Sequence, residues 1–370
     1  MFAEVGIPVA ALSGPGEAQQ RAATAVAERG TVAAMRMMLK EMPGRIRASA
    51  RETLIGAEGA VLLTGGVGGM VAGLAVAERL GVPFIEAHLQ PIGAPTAAYP
   101  GVLLPGIPRW LGGPGRRLSH PLSELALWLP FRGAMAAARE EVSGRRGAPR
   151  GATGPVLYGF SRHVVPLPDS GGDRPRRVTG YWTLPTPAGW TPPPALEAFL
   201  ARGGPVVSVG FGSMASADPS ATTSMVVGAA RDAGVRAVLL SGWGGLDARA
   251  AGDDVHCAEA LPHAWLFPRV SAIAHHGGAG TTGAALASGV PSIVIPLGID
   301  QPFWASRVSA LGAGPPPIPR KRLTRERLAE AFRRAVGDAA MRSRAAEVGA
   351  MIRAEDGVGA AVEVFGELGS

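Results

Sequence analysis

Cysteine is nearly absent from this sequence, and so is lysine. Cys257 stands alone in 370 residues, which excludes an intrachain disulfide and any CxxC metal site and fits a cytoplasmic protein. Lys40 and Lys321 are the only lysines among 36 basic residues, a bias toward arginine that carries no functional message. Aromatic residues (5%) and charged residues (18%) are both scarce, yet 47% of the chain is apolar, too much for a disordered or acidic solvating chain. Glycine (53) and proline (33) are plentiful but follow no Gly-X-Y period, which excludes a collagen-like chain. The opening Met1-Phe-Ala-Glu-Val-Gly-Ile-Pro8 lacks the basic region and long apolar run of a secretory signal. One charge-free stretch, Gly59 to Ala77, approaches the length that spans a bilayer. Gly65-Gly66 and Gly68-Gly69 sit in its middle, and glycine costs about 1 kcal/mol per residue in a helix interior. The better parse is a strand Ala60–Thr64, a glycine turn, a helix Met70–Leu80 stopped by Gly81, and a strand Pro83–Leu89, which together make a βαβ unit.

What charge there is lies unevenly. Residues 1–180 hold 20 basic and 13 acidic side chains, whereas the rest of the chain is balanced at 16 of each. A basic half suits an acidic partner, and peripheral contact with an anionic membrane is one such use. The arginine clusters Arg116–Arg117, Arg145–Arg146–Arg150 and Arg174–Arg176–Arg177 have no interleaved aromatics, so nucleic acid is not the expected partner.

Length alone suggests two domains. In the second half strands and helices alternate. Val206–Val209 is a strand, Asp218-Pro219 caps a helix, Arg236–Leu240 and Ser271–His275 are strands, a helix runs to Ser288 before Gly289, and Ser292–Ile295 is a further strand. Such alternation implies a parallel sheet covered on both faces, with ligands bound beyond the strands' carboxyl ends. The first half alternates less regularly. Pro100 to Pro114 reads as a long loop, and Ser119–Arg132 as a helix carrying Leu122, Leu125, Trp128 and Leu129. The expected division is a first domain over 1–184, a linker over 185–204, a second domain over 205–354, and a C-terminal helix over 355–370 that packs back on the first domain.

The segment Pro268 to Trp304 carries the chemistry. A strand delivers His275-His276 to a turn in which Gly277, Gly278 and Gly280 bring backbone N–H groups near a ligand, and Thr281-Thr282 open the next helix. A helix N-terminus with a histidine beside it is a phosphate site. The following strand leads to Asp300-Gln301, a carboxylate and an amide suited to vicinal hydroxyls. Diphosphate plus polyol describes a nucleotide sugar. No lysine follows the glycines, so this is not a Walker A loop, and the spacing does not match the dinucleotide fingerprint. No further ligand stands at metal spacing from the histidines.

With these residues in view, the sequence resembles the inverting, metal-independent family 1 glycosyltransferases of the GT-B fold, in the branch similar to sterol 3-beta-glucosyltransferases and to macrolide and glycopeptide glycosyltransferases. The resemblance runs through Leu89-Gln-Pro…Tyr99-Pro100, Tyr158-Gly-Phe-Ser161, Val178-Thr-Gly-Tyr-Trp182, Val209-Gly-Phe-Gly-Ser-Met214, Leu240-Ser-Gly-Trp-Gly-Gly-Leu246, Pro262-His-Ala-Trp-Leu-Phe267 and the His276–Gln301 segment. It implies two Rossmann-like α/β domains and transfer of a hexose from UDP-glucose or a TDP-sugar to a hydroxyl of a sterol, glycolipid or polyketide-type acceptor. It assigns the diphosphate to Ser213, His276, Gly278, Gly280 and Thr281, and the sugar to Asp300 and Gln301. Trp243, Leu261 and His263 fall near the base and ribose. It implies no cofactor and no metal. Phe2–Pro8 resembles the end of a second βα unit, so the first elements of the acceptor domain, with the loop that carries the catalytic base, are expected to be missing. No base is named, although His88 and Asp169 are candidates by type. The alternative is a non-catalytic protein that keeps only the nucleotide-sugar site.

Overall fold

The computed structural model describes residues 31–167, 174–211, 218–242, 246 and 252–369. Two parallel sheets organise them. The first is built from β1 (Leu63–Gly65), β2 (Phe84–His88), β3 (Val156–Tyr158) and β4 (Arg176–Val178), adjacent in chain order. Its helices are α1 (Thr31–Gly56), α2 (Val67–Leu80), α3 (Gly112–Trp128) and α4 (Arg132–Ser143). The stretch Gly59–Ala77 is a strand, a turn and the start of α2. The helix ends at Gly81, whose φ of 73° lets its N–H return to the Ala77 carbonyl. Among the described residues no helix is long and apolar enough to cross a membrane.

The second sheet contains β5 (Val206–Gly210), β6 (Arg236–Leu240), β7 (Val255–Ala258), β8 (Ala272–His275) and β9 (Ser292–Val294) in the order β7-β6-β5-β8-β9, all parallel. The chain reverses direction across this sheet between β5 and β8, where Gly210 pairs with His275. That reversal opens a crevice beyond the strand ends, the usual ligand position in such sheets. The described helices after α4 are α5 (Pro194–Ala201), α6 (Pro219–Asp232), α7 (His263–Leu266), α8 (Ala279–Ser288), α9 (Gln301–Ala310), α10 (Arg325–Gly337), α11 (Ala339–Arg353) and α12 (Gly357–Gly369). Asp218 caps α6 through a 2.8 Å bond from the Ala221 N–H, with Pro219 at the first helical position. The architecture is that of two Rossmann-like α/β domains.

Two expectations need correction. The stretch 185–204 is not a plain linker, because it contains α5, whose Leu196 and Phe199 are buried in the core of the second sheet beside Val238 and Leu266. The loop expected up to Pro114 ends earlier. A tight turn at Arg109–Leu111 leads straight into α3, and a second one at Leu129–Phe131 separates α3 from α4.

The halves share one apolar cluster. Phe303 and Trp304 of α9 are fully buried. Phe303 meets Tyr99 edge-on at 5.5 Å and Trp304 meets Phe160 at 6.2 Å, both partners belonging to the first half. Arg307 of α9 donates to the Val164 carbonyl at 2.8 Å. At the far end α12 returns, packing Ala361 and Val364 on Ile85 and Leu157 of the first sheet. It gets there through a close crossing of Gly180 (φ 107°) and Gly357, where a Cβ on Gly357 would lie 2.4 Å from the Tyr181 carbonyl oxygen. Phe303→Ala should therefore cost about 3–5 kcal/mol, read as a lower midpoint in urea unfolding. A loss below about 1 kcal/mol would show that α9 does not join the halves in solution.

Candidate functional site

The turn after β8 contains two histidines with different work. His275 is fully buried, and its Nδ1 accepts the Gly277 N–H at 3.1 Å, which requires a neutral ring. Burial, with His276 and His263 nearby, pushes its pKa down to about 3. His275 thus holds the turn in shape. His276 faces the crevice. Burial also lowers its pKa, against a smaller opposing pull from the Asp300 carboxylate, and its Nδ1 has no partner among the described residues. Gly277 has a φ of 89° and would push a Cβ to 2.7 Å from Val294 Cγ1. A Cβ on Gly278 would stand 2.5 Å from His276 Nε2, so a side chain there would displace the histidine. Gly280 differs, because a Cβ there would meet nothing within 4 Å.

Helix α8 starts at Gly278 with no side-chain cap. Its first N–H groups are left for whatever occupies the crevice, and its dipole favours an anion. Of the nine buried polar side-chain atoms without a partner among the described residues, three lie between His275 and Thr282. Such a concentration sets this turn apart among the described residues. The adjoining cleft, of about 240 Å3, is lined by Gly210, Leu240, Leu261, His263, His276 and Thr281 among others. His263 lies flat on Phe267 at 4.4 Å. The structure therefore brings together His276, Thr281, Leu261 and His263, with Gly278 and Gly280 in the same turn. Ser213 and Trp243 lie outside the described residues, as does Asp169.

Asp300 stands at the start of α9 but its side chain does not cap that helix. Its Oδ2 accepts from Gln90 Nε2 at 2.8 Å and from Trp304 Nε1 at 3.1 Å. Gln301 is buried, and its Oε1 accepts the Leu297 N–H at 2.8 Å, which shapes the loop before Asp300. Ile299 in that loop has a φ of 57°, a left-handed conformation that a β-branched residue adopts only under strain. Gln90 was not foreseen as a site residue. Its motif was visible in Leu89-Gln-Pro, but its partner lies 210 residues away.

Beside Asp300 opens a mostly apolar pocket of about 140 Å3, lined by Gln90, Ile92, Val102, Leu103, His120 and Leu127 among others. His88 does not line it. That ring is buried, with its Nε2 2.9 Å from Glu86. Burial pulls the Glu86 pKa upward, but His88 and Arg174 outweigh it and hold the carboxyl below its usual range. Among the described residues no three His, Cys, Asp or Glu side chains converge as a metal-binding group.

Comparison with known proteins converges on one fold. Residues 224–359 match the family model described as the erythromycin biosynthesis protein CIII-like C-terminal domain. A sterol 3-beta-glucosyltransferase of Neosartorya fischeri is 37% identical over 312 residues, covering 80% of this chain and 22% of the relative. One from Arabidopsis thaliana is 34% identical over 300 residues, covering 78% and 46%. The chain is similar to glycosyltransferases in sequence over about four fifths of its length. It spans about a fifth of the length of the fungal relatives and under half of the plant one. Among solved structures, the glycosyltransferase SnogD from Streptomyces nogalater superposes with a TM-score of 0.62 at 21% identity, covering 100% of this chain and 88% of SnogD. The glycosyltransferase VinC in complex with dTDP gives 0.58 at 18% identity, covering 90% of this chain and 80% of VinC. At these identities the superpositions speak for the fold.

The depressed histidine sets a pH dependence. An unfolded chain protonates His275 near its ordinary pKa of about 6.5, while the folded chain resists down to about 3. The unfolded state binds more protons in that window, so stability is complete above about 6.5 and is lost as the pH falls through it. The shifts of His120, His256, His263 and His276 are also downward and add to the slope. The Tm should fall steadily from pH 7 to pH 5, and His275→Gln should flatten that fall. An unchanged slope in the variant would exclude His275 as its source.

Proposed function

We propose that this protein transfers a hexose, with inversion, from a nucleoside-diphosphate sugar such as UDP-glucose or a TDP-sugar to a hydroxyl of a lipophilic acceptor. The observation that carries this reading is the unfilled set of donors at the start of α8, with His276, at the sheet's switch point and next to Asp300. Those donors suit a diphosphate, Asp300 with Gln301 suits sugar hydroxyls, and the apolar pocket beyond Asp300 suits the acceptor. At about 140 Å3 that pocket is smaller than a whole-ligand site and fits only the end bearing the reacting hydroxyl. The names of the relatives, sterol 3-beta-glucosyltransferases, favour a sterol-like acceptor and a glucosyl donor.

In this reading the acceptor oxygen attacks the anomeric carbon from the side opposite the diphosphate. One C–O bond forms as the bond to the phosphate oxygen breaks with its electron pair going to the diphosphate, and the acceptor's proton passes to solvent water. Negative charge grows on the departing diphosphate, which in this reading lies against His276 and the α8 N–H groups, so preorganised donors do the work a divalent cation does elsewhere. No metal is required. The reaction takes place on the cytoplasmic side, at the anionic membrane face where a lipophilic acceptor is found.

Calorimetric titration with UDP and dTDP tests the donor site. His276→Ala should weaken nucleotide binding about 10-fold to 100-fold, the range for a hydrogen bond to a charged group. Gly280→Ala should leave the Tm unchanged, since its methyl meets nothing, yet reduce nucleotide affinity. Asp300→Ala should weaken the nucleotide sugar and spare the free nucleotide. Binding and transfer from radiolabelled UDP-glucose to a sterol panel should both survive EDTA. Equal nucleotide affinity in wild type and His276→Ala overturns the assignment.

A further inference from the structure

Helix α3 is amphipathic in the reverse sense for a helix lying on a protein. Its buried side is polar: Ser119, His120 and Ser123 are the residues it buries. They hold the loop beneath. Ser119 Oγ accepts the Gly101 N–H at 2.8 Å, Ser123 Oγ accepts the Leu103 N–H at 2.9 Å, and His120 Nε2 lies 3.0 Å from the Tyr99 carbonyl. Glu124 turns the same way and accepts the Gly93 N–H at 2.9 Å. The outward side is leucine. Leu118, Leu122 and Leu125 are 64%, 51% and 56% exposed. Leu111 before the helix and Leu129 after it continue the same stripe, at spacings of seven, four, three and four residues. Trp110, 82% exposed, stands at its end. A surface helix normally turns its apolar stripe inward, and a contiguous exposed apolar patch marks a surface that something covers.

Charge identifies the cover. From Ile92 to Ala138 the chain holds four arginines and a single acid, Glu124, which is turned inward on Gly93. Arg117 on α3 and Arg132 at the start of α4 are exposed. An apolar stripe with an exposed tryptophan and flanking arginines, free of outward carboxylates, matches the boundary of a bilayer with anionic headgroups. A protein partner for such a surface would need acidic residues around an apolar face, and the anionic membrane supplies both at once.

We propose that the outer face of α3, from Trp110 to Leu129, docks this protein on an anionic lipid surface. The inner side of the same helix contributes His120, Ser123, Glu124 and Leu127 to the pocket that ends at Asp300. Docking would therefore set the mouth of that pocket at the lipid boundary, so that an acceptor enters without crossing bulk water. This second step rests on the proposed function, whereas the docking itself does not.

The test uses the full chain with extruded vesicles of phosphatidylcholine, alone or mixed with phosphatidylglycerol. Wild type should co-sediment with the mixed vesicles, more weakly at high salt, and its tryptophan emission should shift to the blue by an amount reduced in Trp110→Phe. Replacing Leu118, Leu122 and Leu125 together by glutamine should leave the Tm and nucleotide binding unchanged and weaken vesicle binding about tenfold or more. Arg117→Glu with Arg132→Glu should abolish the preference for phosphatidylglycerol. No vesicle binding by wild type, or equal binding by the triple variant, overturns the proposal. So does a dimer in sedimentation velocity that the triple variant disperses, because the cover is then a second copy. A large fall in Tm in the triple variant also overturns it, because the leucines are then packed within the chain. Loss of nucleotide binding in wild type would sink the proposed function and leave the docking result standing.

Discussion

The contact between the two halves hangs on the first turns of α9. Phe303 and Trp304 sink into an aromatic cluster shared by both halves, and the same burial fixes Asp300 immediately before them. The Trp304 indole then holds the Asp300 carboxylate from below, while Gln90 holds it from the other half. Hydrophobic burial pins the carboxylate and two neutral donors orient it. The loop that feeds it is held in an unfavourable backbone state at Ile299, and strain of this kind persists only where the surroundings overdetermine it. The Gln301 carbonyl and the buried pair behind it supply that overdetermination.

Much of this was legible in the sequence, because local and tertiary preferences agree there. Strand β6 occupies Arg236–Leu240 as read, and Asp218 and Gly289 act as helix start and stop. The failures have specific causes. Gly112-Gly113-Pro114-Gly115 reads as a helix breaker, but proline is tolerated in a first turn, and the glycines allow close packing: a Cβ on Gly115 would lie 2.4 Å from that of Leu111. Pro192–Pro194 suggested a linker for the same reason, yet Pro193 precedes α5 and Pro194 opens it. The leucines of α3 advertised a helix without saying which way it faces. Only the loop beneath, with its backbone donors to satisfy, decides that the serines turn in.

The crevice after β8 was more legible than the contact between the halves. His276, Thr281, Leu261 and His263 line one crevice because β8 and α8 are consecutive and the chain brings His263 in after β7, with Gly278 and Gly280 in the same turn as His276. The division of labour between the two histidines was not readable. It follows from burial, which makes one an acceptor for the turn and leaves the other to the crevice. Gln90 and Asp300 meet because the chain after β2 touches the chain after β9, and no spacing within one strand announces such a pair.

The chain passes between its halves twice, once after β4 and again between α11 and α12, and the two passages touch at Gly180 and Gly357. Two chain passages that touch leave no slack between the halves at that point. The Gln90–Asp300 hydrogen bond spans the same boundary, so a side-chain pair as well as the chain itself ties the halves together.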